Sequence, residues 1–361
     1  MTVHVGLIGA GNITRTHARA ASATPDVEIA AVFGSNPEKV CALSAEYGCA
    51  HYTDWERFLA HKPMDMIAIG SPSGLHAEQG IAAARRGLHV LTEKPLDVST
   101  ARADELISEA AKARVKLGVF FQDRFKPGVR RMRDCVNAGT LGKPILADAR
   151  VKWYRPPDYY KNSRWRGTPA FDGGGALINQ AIHTLDLLLW IFGDVVAVQA
   201  RKTTALHDIE AEDTLVATLE FANGALGSVI ATTSVFPGYP RRIELSGSEG
   251  TLILTDDQLT AANLRDSATT PRLEPAGDPV DDRAASPLIS DFLPHQAVLE
   301  DFIRAIQSGG EPLCNGREGR RSLALVEAIY ASCLAVGASS SFERDEPPVS
   351  IRRVRRLPSQ R

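Results

Sequence analysis

The sequence predicts an α/β fold built in two parts, and three observations carry that prediction. An apolar run from Val3 to Ile8 passes without a gap into Gly9-Ala10-Gly11-Asn12-Ile13-Thr14. Apolar runs and helix-like stretches then alternate as far as residue 122, the order that builds a parallel sheet with helices on both faces. After Gly142-Lys143-Pro144 the pattern changes to consecutive strands with short turns such as Ala222-Asn223-Gly224, which implies a largely antiparallel sheet. The expected domains are 1–122 and 123–361.

Composition agrees. At 361 residues the chain exceeds one ordinary core. Hydrophobic residues make up 44% and charged residues 23%, the balance of a soluble globular protein. A net charge of −2 argues against a nucleic-acid or polybasic membrane role. The basic Arg352-Arg353-Val354-Arg355-Arg356 is short and isolated, a solvated tail. Five cysteines, odd in number and without paired metal spacing, read as reduced thiols. No run approaches the ~18 apolar residues of a membrane helix, and the first residues lack the basic n-region of a secretion signal. The expected location is the cytoplasm. The Pro-, Asp-, Ala- and Ser-rich stretch from Asp266 to Asp291 reads as a long surface loop.

In the first domain, Gly9 and Gly11 match two positions of a dinucleotide fingerprint. One makes the tight turn; the other lets backbone approach a pyrophosphate at the helix opened by Asn12 and Ile13. Thr14 stands where a third Gly or Ala is usual, and a glycine pair can serve a turn alone; its place at the first strand–helix turn favours a cofactor. The second strand, Val27–Phe33, ends in Gly34-Ser35-Asn36, and Pro37 suits the first helical position with Ser35 or Asn36 as cap. An acid at this strand end bonds the ribose of NAD. None stands between Glu28 and Glu38, and no arginine is present to clamp a phosphate. Ser35 and Asn36 tolerate a 2′-phosphate, a lean to NADP over NAD.

The strand Met64–Ile69 runs into Gly70-Ser71-Pro72-Ser73-Gly74-Leu75-His76, followed by a helix over Ala77–Arg86. The next strand, beginning at His89, ends in Glu93-Lys94-Pro95. Strand ends in an open parallel sheet face the ligand crevice, and proline fixes the backbone behind the acid and the lysine. Glu93 and Lys94 are therefore either surface charges of a loop or groups at the edge of a cofactor site. A helix over Thr100–Ala113 and a strand over Lys116–Phe121 complete the domain, with Gln122 at its exit.

In the second domain a helix over Pro127–Ala138 precedes strands at Ile145–Arg155, Val195–Thr204, Thr214–Phe221, Ala225–Ser234, Arg241–Ser246 and Thr251–Thr255. One continuous helix, Ala176–Phe192, interrupts them behind Asp172 and Gly173-Gly174-Gly175. Asn179, His183 and Asp186 are spaced four and three apart, so they share a face. A polar stripe on so apolar a helix needs partners or a ligand. Either Asp186 holds a core histidine, or the stripe belongs to a site that the glycines let a ligand approach. Arg124 and the stretch Lys152-Trp153-Tyr154-Arg155 with Tyr159, Tyr160, Trp165, Arg166 and Asp172 combine cations with aromatic faces. Sugar binding uses that combination, and so does interdomain packing. Helices over Pro294–Gln307 and Arg317–Val336, ending at Gly309 and Gly337, are expected to pack back on the body, and Val349-Ser350-Ile351 to add an edge strand.

These stretches together resemble the Gfo/Idh/MocA (glucose-fructose oxidoreductase / inositol dehydrogenase) family. The matching residues are Gly9-x-Gly11-Asn12-Ile13 with His17, Pro72-x-x-x-His76, Glu93-Lys94-Pro95, Gln122-x-Arg124-Phe125, Trp165-Arg166-Gly167, Gly173-Gly174-Gly175-Ala176-Leu177 with His183 and Asp186, and Ala328-Ile329-Tyr330. The resemblance implies a Rossmann domain, then a C-terminal α/β domain whose open-faced sheet forms a homodimer or homotetramer. It implies an NAD(P)-dependent oxidation of a secondary hydroxyl on a sugar, cyclitol or derivative. Lys94 would hold the reacting oxygen and His183 act as general acid/base, with Asn179, Arg124, Tyr154, Arg155, Trp165, Arg166 and Asp172 around the substrate. Cofactor contacts are expected at Gly9, Gly11, Asn12, Ile13, Ser35, Asn36, Ser71, Pro72, His76, Glu93, Lys94 and Gln122. The family often carries an aspartate one turn before the histidine; here it is Asn179, which cannot take a proton and can only orient substrate.

The chemistry stands on its own terms. Hydride leaves carbon only as the hydroxyl proton leaves oxygen, so a base must sit within hydrogen-bond reach. The ordinary pKa of histidine suits that near neutrality, and a lysine cation stabilises the developing alkoxide. No metal spacing is evident. Two alternatives are a non-catalytic dinucleotide-binding regulator, which would not need both Lys94 and His183, and a reductase of a non-sugar carbonyl or dihydrodiol.

Overall fold

The computed structural model describes residues 2–163, 165–266, 268, 270, 271, 273, 284 and 291–334. Its first half is a six-stranded sheet in the order β3-β2-β1-β4-β5-β6, every neighbouring pair parallel. The strands are β1 (Val3–Ile8), β2 (Val27–Phe33), β3 (Ala50–Tyr52), β4 (Met66–Ile69), β5 (His89–Thr92) and β6 (Leu117–Val119). Between them run α1 (Asn12–Ala23), α2 (Pro37–Tyr47), α3 (Trp55–Leu59), α4 (His76–Arg85) and α5 (Thr100–Ala113). β4 is buried along its whole length, as expected where helices cover both faces of a parallel sheet. The strand order reverses between β1 and β4, which opens a ligand crevice at their carboxyl ends.

The second half is a seven-stranded sheet in the order β13-β12-β11-β7-β10-β9-β8. Its strands are β7 (Pro144–Lys152), β8 (Val195–Thr203), β9 (Thr214–Phe221), β10 (Leu226–Thr232), β11 (Arg242–Gly247), β12 (Gly250–Thr255) and β13 (Gln258–Leu264). All pairs are antiparallel except β7 with β10. Along β9 buried and outward residues alternate strictly after Thr214, the mark of a sheet with one covered face. α6 (Pro127–Asn137) and α8 (Ile182–Phe192) pack together under that covered face, and α7 (Asp158–Lys161) is a single turn.

α9 (Leu293–Ser308) and α10 (Gly316–Leu334) return to the first domain, as expected. Gln296 Nε2 donates to Ala23 O at 3.1 Å, Thr100 N to Glu327 Oε1 at 2.8 Å, and Val119 N to Cys314 O at 2.8 Å. Two strands were not expected, the three-residue β3 and the polar-rich β13. The edge strand at 349–351, the tail at 352–356, Gly337 and most of the loop at 266–291 lie outside the described residues.

One element differs in kind. The expected continuous helix Ala176–Phe192 begins as a π-helix, Ala176–Ala181, and becomes α-helical only at Ile182. A π turn shifts the phase of everything before it, so Asn179, His183 and Asp186 do not form one stripe. Such turns are frequent at functional sites.

Candidate active site

The crevice beyond β1 fits a dinucleotide on the chain's own geometry. Gly11 caps α1 with no side-chain hydrogen bond, so the amides of the first turn remain for an anion. A Cβ at Gly11 would meet open space, whereas one at Gly9, where φ is +107°, would press on Thr14 Oγ1 and Gly70 O at 2.7 and 2.8 Å. Asn12 is exposed and Ile13 half-buried at the same turn. Thr14 thus fills the space of the third glycine, its Oγ1 buried without a partner. At the tip of β2, Ser35 and Asn36 are exposed, and Asn36 Oδ1 accepts from Lys39 N at 3.0 Å, capping α2. Gln122, just past β6, keeps a buried Oε1 with no partner.

Two residues expected at the cofactor, His76 and Ser71, also hydrogen-bond within the walls. The His76 ring, 1% exposed, has Nδ1 2.8 Å from Pro95 O and Nε2 3.0 Å from Ser71 O, linking the loops after β4 and β5 beside Pro72. Ser71 Oγ donates to Gln79 Oε1 at 2.6 Å.

Glu93 and Lys94 leave β5 in opposite directions. Glu93 is buried, with Oε1 2.9 Å from His17 Nε2 and 3.8 Å from His295 Nε2. Burial alone would raise its pKa, but the His17 hydrogen bond and the charges of His17, His295 and Lys94 bring it down to about 2. His17 in turn stacks on Phe120 with ring centroids 4.3 Å apart. Glu93 is thus a fixed anion under the crevice. Lys94 Nζ crosses to the other domain and donates to Asn179 O at 2.8 Å. Burial pushes its pKa down, while Glu93, Asp172 and Asp123 pull it up.

The glycine-led π-helix is anchored from far along the chain. Ala176 N donates to Glu212 O at 3.0 Å, and Leu177 N to Glu212 Oε1 at 2.9 Å, which also accepts from Tyr330 Oη at 2.9 Å. Glu212 thereby supplies the cap that the glycines lack. A Cβ at Gly174 would collide with Tyr330 and one at Gly175 with the Glu212 carbonyl, so this close approach requires glycine. His183 follows on α8, edge-on to Phe121 at 5.9 Å between centroids. Its ring is partly open, but Nδ1 is buried without a partner. Burial pushes its pKa down to about 3, with Asp123 pulling up and Lys94 pushing down. Histidine's ordinary near-neutral titration is thus shifted downward here, which favours the neutral imidazole.

Beside Lys94 lies a polar network. Asp172 Oδ2 accepts from Gly167 N at 2.8 Å, and Oδ1 is hydrogen-bonded by Asn179 Nδ2. Gln180 Nε2 donates to Asn179 Oδ1 at 2.9 Å and to Tyr159 Oη at 3.0 Å, and Arg155 Nη2 donates to Gln180 Oε1 at 3.1 Å. Arg166 lies over the Tyr159 ring at 4.1 Å and the Trp165 ring at 5.4 Å, with a buried, unpartnered Nε. Lys94, Asn179, Asp172, Arg155, Trp165 and Arg166 are thus brought together. Asn179, expected to orient substrate, has both ends of its amide engaged by protein.

The Arg124 and Tyr154 side chains have other partners. The Arg124 guanidinium, 1% exposed, is forked onto Asp186 through Nε–Oδ2 at 2.7 Å and Nη2–Oδ1 at 2.6 Å, and reaches Glu318 at 2.8 Å. Its pairing corrects the expectation of a substrate contact, and Asp186, buried against it, does not hold His183. Tyr154 packs edge-on against Phe236 at 5.3 Å. The contributions of Glu212, Tyr330, Gln180 and His295 were not anticipated. Gln180 stands beside Asn179 and Tyr330 falls in the matching stretch Ala328-Ile329-Tyr330, while Glu212 and His295 carry no such signal. Among the described residues no group of three or more His, Cys, Asp or Glu side chains could hold a metal ion, and no helix is long and apolar enough to cross a membrane.

Comparison with known proteins matches the two halves separately. Residues 3–121 match a family model described as an oxidoreductase family, NAD-binding Rossmann fold, and residues 129–253 one described as a GFO/IDH/MocA C-terminal domain. Myo-inositol 2-dehydrogenase of Thermotoga maritima is 28% identical over 343 residues, 91% of this chain and 96% of its own. 1,5-Anhydro-D-fructose reductase of Ensifer adhaerens is 28% identical over 348 residues, 94% and 98% of the two chains. Among solved structures, the WlbA dehydrogenase from Bordetella pertussis, in complex with NADH and UDP-GlcNAcA, is similar with a TM-score of 0.83 and 32% identity, over 92% of this chain and 96% of that one.

Proposed function

Since the chain belongs to the GFO/IDH/MocA family of oxidoreductases, we propose that it exchanges hydride between a nicotinamide cofactor and a secondary hydroxyl or ketone of a sugar, cyclitol or sugar derivative. The observation that carries the reading is the reach of Lys94 Nζ from the end of β5 to Asn179 O, on the glycine-led helix that continues into His183. When bound, the nicotinamide supplies the hydride acceptor. Lys94 donates to the hydroxyl oxygen and stabilises it as negative charge develops. His183, neutral, takes the hydroxyl proton. Arg155 and Arg166, with the Tyr159 and Trp165 faces, line the substrate side. These cations make an acidic sugar derivative, of the kind bound by the WlbA dehydrogenase, the first class to test.

The cofactor is NADP at least as readily as NAD. No acid stands at the exposed Ser35-Asn36 tip, and Lys39 is exposed in the first turn of α2, where a 2′-phosphate can pair with it. The open face of the second sheet is given to a second copy of the chain, and the free cysteines suit the reducing cytoplasm.

The test is a screen of purified protein with NAD and NADP against monosaccharides, cyclitols, uronic acids and nucleotide sugars, following reduced cofactor. Turnover on a polyol is expected, with NADP binding at least as tight as NAD by fluorescence titration. Tight cofactor binding without turnover on any class would favour a regulator, and a large NAD preference would remove the NADP assignment.

A further inference from the structure

We propose that Asp172 is the positioning residue of this site, fixing through the Asn179 amide the carbonyl on which Lys94 rests. The proposal rests on the reading of Lys94 as the group that holds the reacting oxygen.

Asp172 stands immediately before the three glycines and is 2% exposed. Both of its oxygens are committed: one accepts from Gly167 N at 2.8 Å, the other from Asn179 Nδ2. The Asn179 side chain is held at its other end by Gln180 Nε2 at 2.9 Å, and its main-chain carbonyl receives Lys94 Nζ at 2.8 Å. Three bonds therefore converge on one residue in the π turn, with Asp172, Gln180 and Lys94. An amide clamped at both ends cannot rotate, and the clamp sits in the turn whose carbonyl takes the lysine. Holding a catalytic donor within a few tenths of an ångström is the task of such supporting contacts.

The charged and titratable groups facing Asp172 are Lys94 from the loop after β5, Arg166 from its own loop, and Tyr159 and Tyr160 of α7. Burial pushes the carboxyl up to about 6, against the pull of Gly167 N, Asn179, Lys94 and Arg166. Its charge is present above that value and lost as pH falls through it. On protonation one acceptor becomes a donor, and Lys94 loses a facing anion.

Asp172→Asn and the exchange Asp172→Asn/Asn179→Asp test this. In the single variant an amide offers one oxygen to two donors, Gly167 N–H and the Asn179 amide, so one bond is lost. In the exchange the amide at 172 accepts from Gly167 and donates to the carboxylate at 179, so both bonds return and one negative charge remains. The readout is competitive labelling of Lys94 with trace acetic anhydride, resolved by peptide mass spectrometry across neutral to alkaline pH, on protein shown to bind NADH. In Asp172→Asn, Lys94 should label roughly tenfold faster at neutral pH, the effect of about one pKa unit. The exchange should restore native labelling. Once a substrate is found, kcat should fall roughly tenfold in the single variant, with the KM for cofactor unchanged and the acid limb near pH 6 lost. Native labelling in Asp172→Asn, or an exchange variant that departs from native labelling, overturns the proposal; if the single variant does not bind NADH, the exchange decides alone. Labelling needs no substrate, so its failure is distinct from a failure of the dehydrogenase reading, which Lys94→Ala with undiminished turnover would bring.

Discussion

Asp186 carries two hydrogen bonds from Arg124 and one from Ser322 Oγ at 2.8 Å, all in the interior. Burial raises the pKa of its carboxyl, and the guanidinium opposes that rise. The three residues belong to the turn Gln122–Phe125, to α8 and to α10, so the cluster joins segments far apart in sequence. A buried ion pair adds little over a packed apolar pair, but removing one partner strands the other charge. Asp186→Ala is therefore expected to lower the unfolding free energy by about 3–5 kcal/mol, measured by urea denaturation. A loss below about 1 kcal/mol, the worth of an exposed pair, would show that Glu318 or water compensates Arg124. The side chains at the site follow the same electrostatics with other outcomes. Glu93 is held charged by two histidines and a lysine, while at Asp172 burial outweighs the pull of Gly167 N, Asn179, Lys94 and Arg166 and raises the pKa to about 6.

At the scale of elements, the second sheet leaves one face open. Leu146 on β7 pairs with Leu226 on β10, and Ile230 on β10 with Val216 on β9. Leu146, Leu226 and Val216 are 41%, 58% and 47% exposed, a grouping of apolar side chains that favours association. The native chain is expected to sediment as a dimer or larger assembly, and Leu226→Glu with Val216→Lys to shift it toward monomer. A native monomer at micromolar concentration would contradict this. The same elements show what the sequence makes legible. β1, β2, β9 and α5 have the ends their apolar periods predict, because each is set by local burial and by turn or cap residues. β3 is too short to show a period, and the polar residues of β13 mask its alternation. The parallel pairing of β7 with β10 depends on contacts between distant segments, which no local pattern records. The π turn leaves no mark in the sequence, since Ala176, Leu177, Gln180 and Ala181 are also good α-helix formers. Lys94, Asp172 and His183 stand out in the sequence because strand ends and glycine-led helices are positions where such groups can meet a ligand. Arg124 looked alike in sequence, since a cation after a strand serves a buried acid as readily as a substrate. Glu212 and His295 come from segments with no local signal.

In the whole molecule the candidate site joins the loop after β5 to the glycine-led helix of the second half, and the C-terminal helices pack back on the first. α9 lays Phe292 under Arg19 at 4.8 Å and brings His295 to Glu93, while α10 pairs Arg320 with Asp104 at 2.9 Å. The first domain supplies Lys94 and a crevice with free amides; the second supplies the acceptor carbonyl, the imidazole and the cations. Neither half holds both Lys94 and His183. The most direct measurement is turnover by Lys94→Ala and His183→Ala on a substrate found in the screen, beside cofactor binding by fluorescence titration. Each variant should lose at least about a hundredfold in kcat, the usual scale for a general acid–base group, while binding cofactor within a few-fold of the native chain. Native-like turnover in either variant would contradict the assignment of that residue to the reaction.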